Sequence, residues 1–89
     1  MITVKDAVQK ALAYTQEIYA PEQLQNLRFE EVEKTGDDWR VTIGFDREQA
    51  RPPGPFAQFA LPQYRREYKV VEIDANSGEV KALKMRNIA

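Results

Sequence analysis

The stretch "WRVTIGFD", Trp39 to Asp46, alternates strictly: Trp39, Val41, Ile43 and Phe45 fall on one side, Arg40, Thr42 and Gly44 on the other. A period of two with β-branched and aromatic residues on one side is the pattern of a half-buried strand. The aromatic and branched side needs a cover, and the flanking sequence supplies one on the N-terminal side. In "TVKDAVQKALAYTQEIY", the residues Val4, Ala7, Val8, Ala11, Leu12, Thr15, Ile18 and Tyr19 recur at three- and four-residue spacing, one apolar stripe of a helix. Thr3 followed three residues later by Asp6 reads as a capping box, with Ile2 and Ala7 placed for a hydrophobic staple. Pro21 disfavours helical geometry at Ala20, so the helix ends near there; "PEQLQN" has room for one further turn.

Between helix and strand lies "LRFEEVEK", Leu27 to Lys34. Leu27 and Phe29 alternate, but Val32 is out of phase, which predicts a β-bulge near Glu30 and Glu31. "TGDD", Thr35 to Asp38, is the turn into the central strand, with Gly36 free to take positive φ.

Two further strands, about residues 65–75 and 79–87, flank the turn "ANSG", where Gly78 suits a left-handed position. Setting Asp74 against Glu79 gives the pairs Ile73–Val80, Glu72–Lys81, Val71–Ala82, Val70–Leu83, Tyr68–Met85 and Glu67–Arg86, with Lys69–Lys84 the one mismatch. Cross-strand pairs of this kind contribute about 0.2–1 kcal/mol each. In this register Val70, Leu83, Tyr68 and Met85 share a face opposite Ile73 and Val80. One helix covers one side of a sheet, so the second side needs its own cover.

The segment "RPPGPFAQFALPQ", Arg51 to Gln63, is the candidate. It joins the second and third strands and carries Phe56, Phe59 and Leu61 among prolines that lower the entropy lost on ordering. Burying each phenylalanine would contribute roughly 1.5–3 kcal/mol. Three readings stand: a structural flap over the second face, a lip over a groove or homodimer contact, or a disordered segment.

The totals exclude much. The chain has 89 residues, one domain's length, with no cysteine and no histidine, and 13 basic residues against 14 acidic for a net charge of −1. The commonest general base, nucleophile and transition-metal ligands are therefore missing. Ser77, the one serine, sits in the hairpin turn without a base. Glu30 and Glu31 should point to opposite faces of a strand, and Asp37 and Asp38 lie in a turn, so neither pair reads as an acid–base couple. The glycines are scattered, so no phosphate-cradling loop exists. The expectation is a chain without enzymatic activity, cofactor or metal. No run approaches the ~18–20 apolar residues of a membrane span, and the polar start "MITVKDAVQK" is unlike a signal peptide, which leads us to expect no membrane partner and a cytoplasmic location.

"YRREYK", Tyr64 to Lys69, is the dense basic cluster. Alternating tyrosines and arginines suit single-stranded nucleic acid, but Glu67 and Glu72 interrupt the patch and the chain is slightly acidic. The stretch "YKVVEIDANSGEVKALKM" resembles the PepSY type of domain at Tyr68, Val70, Ile73, Asp74, Gly78, Glu79 and Val80, with "DDWRV" where that family's preceding strand stands. The resemblance implies a cystatin-like arrangement and contact with peptides or peptidases.

These readings predict an α+β domain, an N-terminal amphipathic helix on a three- to four-stranded antiparallel sheet with a long Pro-rich loop between the second and third strands. Its expected role is to bind a protein or peptide, with nucleic-acid binding through Tyr64–Lys69 as the alternative. The candidate partner-binding residues are Phe56, Phe59, Leu61, Tyr64, Arg65, Arg66 and Tyr68, because aromatic and arginine side chains carry a disproportionate share of interface energy. A homodimer through the same surface is a further expectation.

Overall fold

The computed structural model describes residues 1–22, 24–48, 54–55 and 63–86. A helix, α1 (Val4–Ile18), is followed by a single 3-10 turn (Ala20–Glu22) and four strands: β1 (Gln25–Thr35), β2 (Asp38–Glu48), β3 (Tyr64–Asp74) and β4 (Val80–Met85). The strands form one antiparallel sheet in the order β1-β2-β3-β4, so β2 and β3 are central and β1 and β4 are edges. The fold is α+β, as expected, with four strands. Of the Pro-rich loop only Gly54, Pro55 and Gln63 are described; Phe56, Phe59 and Leu61 lie outside the described residues, and with them the proposed flap.

The helix starts where the capping box places it. The Asp6 amide donates to Thr3 Oγ1 at 3.1 Å and the Thr3 amide to the Asp6 carboxylate at 3.2 Å. Small residues then bring the helix close to the sheet. Ala7, Ala11 and Thr15 are fully buried against Val41, Ile43, Phe45, Val71 and Ile73. The Thr15 hydroxyl avoids an unpaired buried donor by bonding the Ala11 carbonyl at 2.8 Å. The start of the chain is tied to the turn end of the sheet: the Ile2 amide donates to the Ala75 carbonyl, and Trp39 Nε1 donates to the Ile2 carbonyl.

The bulge foreseen in β1 is present between Phe29 and Glu31, and a second irregularity lies between Gln25 and Arg28, where Asn26 takes a φ of 53°. The β3–β4 hairpin departs from the expected register. Its turn closes as predicted, with the Asp74 amide on the Glu79 carbonyl and Gly78 at a φ of 76°. Ile73 pairs with Val80, but the ladder then slips: Glu72 faces Ala82, Val71 faces Leu83, Val70 faces Lys84 and Lys69 faces Met85. Lys81 is the extra residue, and its ammonium reaches across to the Asp38 carboxylate at 3.0 Å.

That single bulge moves Leu83 from the far face to the helix face, where it packs against the core. The expected quartet of Tyr68, Val70, Leu83 and Met85 is thereby broken. Tyr68 and Val70 alone keep the far-face position foreseen for all four.

Candidate functional site

Strand alternation divides the predicted β3 residues between the two faces. Tyr64, Arg66 and Tyr68 share the face turned away from α1, opposite Glu48, Asp46 and Gly44 of β2, while Arg65 sits on the helix side opposite Arg47. Four of the seven predicted residues are thus described, and three of them share a face.

Arg66 is the centre of that group, but its donors are already engaged. Its guanidinium bonds Glu30 Oε1 at 2.6 Å, the Asn26 carbonyl at 2.9 Å and Asp46 Oδ1 at 3.4 Å, and it lies over the Tyr68 ring at 5.9 Å from the centroid. The arrangement depends on Gly44. A Cβ there would stand 2.7 Å from Arg66 Nη2 and 2.8 Å from Glu30 Oε1, so the missing side chain is what lets the ion pair lie flat across the sheet. Burial opposes the Arg66 charge, but the bonds to Glu30 and Asp46 outweigh it and raise its pKa. Glu30 is held below its ordinary value first by the Arg66 hydrogen bond, and Asp46 first by the amide of Asn26, with Arg66 adding to both.

Further along the same face the pattern repeats. Arg40 lies between Glu33 and Glu72, Lys84 pairs with Glu72 at 2.9 Å, and Arg86 pairs with Glu31 at 3.2 Å while bonding the Thr42 hydroxyl. Arg86 starts beside β4 and reaches Thr42 on β2, so its stem crosses β3 near Val70. Val70 and Thr42 are 5% and 3% exposed, and among the described residues it is the Arg86 stem, not an apolar layer, that lies over them. A shallow groove of about 210 Å³ runs here, lined among others by Arg40, Thr42, Val70, Lys84 and Arg86.

The bulge places Glu30 and Glu31 on this same face, contrary to the alternation expected of them, yet each answers to a different arginine. Ser77 serves its turn: its hydroxyl accepts from the Glu79 amide, while Asp74 accepts from the amides of Asn76 and Ser77. Among the described residues no three acidic side chains converge as a metal site would require. No described helix is long and apolar enough to cross a membrane.

The edges differ. β1 is interrupted twice and carries Glu30, Glu31 and Glu33 amid Arg28 and Lys34, the usual means of blunting an edge. β4 runs without interruption from Ala82 to Met85. The Arg86 amide donates to the Tyr68 carbonyl, so by antiparallel alternation the amides and carbonyls of Leu83 and Met85 point away from β3. Met85 at the end of that edge is 76% exposed, the most of any large apolar residue described. Sequence reasoning named Met85 as a residue to be covered; its place on an open edge is legible only once strand order is known.

Neither a family model, nor a curated protein, nor a solved structure matches the chain.

Proposed function

We propose that this chain is a non-enzymatic module that binds another protein through an extended segment added to the outer edge of β4. The observation that carries this reading is the uninterrupted edge at Leu83 and Met85, whose backbone groups face outward beside a largely exposed apolar side chain. Strand addition takes its affinity from such main-chain groups and its specificity from alternate side chains. The PepSY-type resemblance of the same hairpin, with its implied contact to peptides or peptidases, agrees with this reading.

The nucleic-acid alternative has less to stand on. Within Tyr64–Lys69, Arg66 is committed to Glu30 and Asp46, and a phosphate there would have to displace carboxylates already in place, while Arg65 stands on the opposite face of the strand. The test is to select peptides from a random library on the immobilised protein and titrate the winners into the nitrogen-labelled chain. The amides of Leu83, Lys84 and Met85 should move most. Selected peptides that instead shift only β1, or only the Tyr64–Tyr68 face, would remove the β4 edge as the site.

A further inference from the structure

The β4 edge is not chemically neutral. From Val80 to Arg86 the chain carries Lys81, Lys84 and Arg86 and no acidic residue. Lys84 and Arg86 belong to the face away from the helix, while Leu83 faces the helix side with Val71. A strand laid along this edge therefore meets basic side chains on one of its faces and apolar ones on the other.

We infer that the segment this edge accepts alternates acidic with apolar residues, the acids toward Lys84 and the apolar side chains toward Leu83 and Met85, while Arg86 stays with Glu31 and Thr42. The inference rests on the strand-addition reading above and adds the partner's chemistry to it. Present ion pairs do not close the site. Lys84 and Lys81 hold Glu72 and Asp38 with side chains 62% and 50% exposed. Pairs that open to solvent are worth little, so the ammonium groups are free to share an incoming carboxylate.

A second copy of the chain fits less well. Two β4 strands paired about a twofold axis would bring Lys81, Lys84 and Arg86 of both copies onto one short ribbon, and like charges set close in this way oppose pairing. The opposite edge, β1, has the acidic residues but also the two irregularities that spoil its ladder.

The probe is a labelled peptide of sequence TEVEVEVT, compared with TKVKVKVT and TTVTVTVT, titrated into the full chain at low and at high salt. The glutamate peptide should bind at least about tenfold more tightly than the lysine peptide, and the preference should shrink as salt rises. Met85→Pro removes one outward amide from an edge position that tolerates proline, and should weaken every peptide about tenfold with an unchanged melting temperature. Lys84→Glu should reverse the charge preference. If that variant folds poorly beside Glu72, Lys84→Ala should lower it.

The two levels fail separately. Binding that responds to Met85→Pro but ignores peptide charge overturns the acidic partner and leaves the edge intact. Binding that ignores Met85→Pro, or no binding by any of the three peptides, overturns both. A doubled sedimentation mass that Met85→Pro returns to monomer makes the occupant a second copy and overturns the acidic segment.

Discussion

On the helix side of the sheet, Val41, Ile43 and Phe45 are closed off by Ala7, Ala11 and Thr15. On the other side Thr42, Gly44 and Val70 are almost as thoroughly withdrawn from water, yet among the described residues what lies over them is arginine and glutamate. The first cover is apolar, rigid and made by one helix. The second is assembled from the aliphatic stems of long side chains, whose charged ends neutralise one another across strands. Exclusion from water is thus achieved twice with unequal energetic return. Packed carbon holds its neighbours in place, whereas an exposed ion pair contributes about 0.2–1 kcal/mol and yields to salt.

Adjacent residues on β3 allow that inequality to be measured. Val71 is fully buried on the helix side, and Val70, 5% exposed, lies beneath Arg86. Truncating either to alanine removes the same two methyl groups, about 1.6 kcal/mol of transfer free energy. At Val71 the surrounding core collapses only in part, so a cavity term adds and the loss should reach about 2–3 kcal/mol. At Val70 the Arg86 stem can settle into the space, and the loss should stay near 1–1.5 kcal/mol. Urea denaturation of both variants gives the comparison. Equal losses would mean that the charged cover is as unyielding as the helix, and the distinction between the faces would go.

Acid should separate the faces next. Glu30 and Asp46 have folded-state pKa values below their unfolded ones, so they bind protons more readily once unfolded. Their contribution to stability is complete above the ordinary carboxylate range, about pH 4, and is lost as pH falls through the depressed folded values. Stability should therefore decline on the acid side of about pH 4–5, and Glu30→Gln with Asp46→Asn should flatten that decline. The helix-side residues Val41, Ile43 and Phe45 carry no titrating group and should keep their near-ultraviolet or methyl signals until the whole domain unfolds. An unchanged acid slope in the double variant would show that Arg66 does not need its two carboxylates.

Most of the fold was legible because its causes are local. The Thr3–Asp6 capping box, the alternation of Trp39 to Phe45, the out-of-phase Val32 and the position of Gly78 each act within a few residues. The slip at Lys81 was not legible in the same way. Either register gives acceptable cross-strand pairs, and one source of preference is the Lys81–Asp38 contact between β4 and β2, strands that are far apart in sequence. The slip then decided which face Leu83 joins, and with it the reading of the second face.

The candidate site was legible in part. Alternation alone puts Tyr64, Arg66 and Tyr68 together and Arg65 apart, but it does not say that Arg66 is answered by Glu30 from two strands away. Edge position is likewise a property of strand order, which periodicity does not contain. That is why Met85 reads from sequence as a residue to be buried and stands in the structure at an open edge.

The smallest expected effect falls at Gly44, where the charged cover lies closest to the sheet. Gly44→Ala would push against Arg66 Nη2 and Glu30 Oε1, both ends of flexible side chains that can swing outward. The variant should lose the ion pair, about 0.2–1 kcal/mol, and recover about 0.5–1 kcal/mol because alanine has less freedom to lose on folding than glycine. The two nearly cancel, so the melting temperature is a poor witness. Glu30 is the better one: with Arg66 displaced, the leading cause of its depression is gone and its titration should return toward the ordinary range. A variant that unfolds by 2 kcal/mol or more (about four times the ordinary surface effect) would mean that the side chains cannot move aside. The face away from the helix would then be a second core in charged dress, with its arginines fixed as firmly as Phe45.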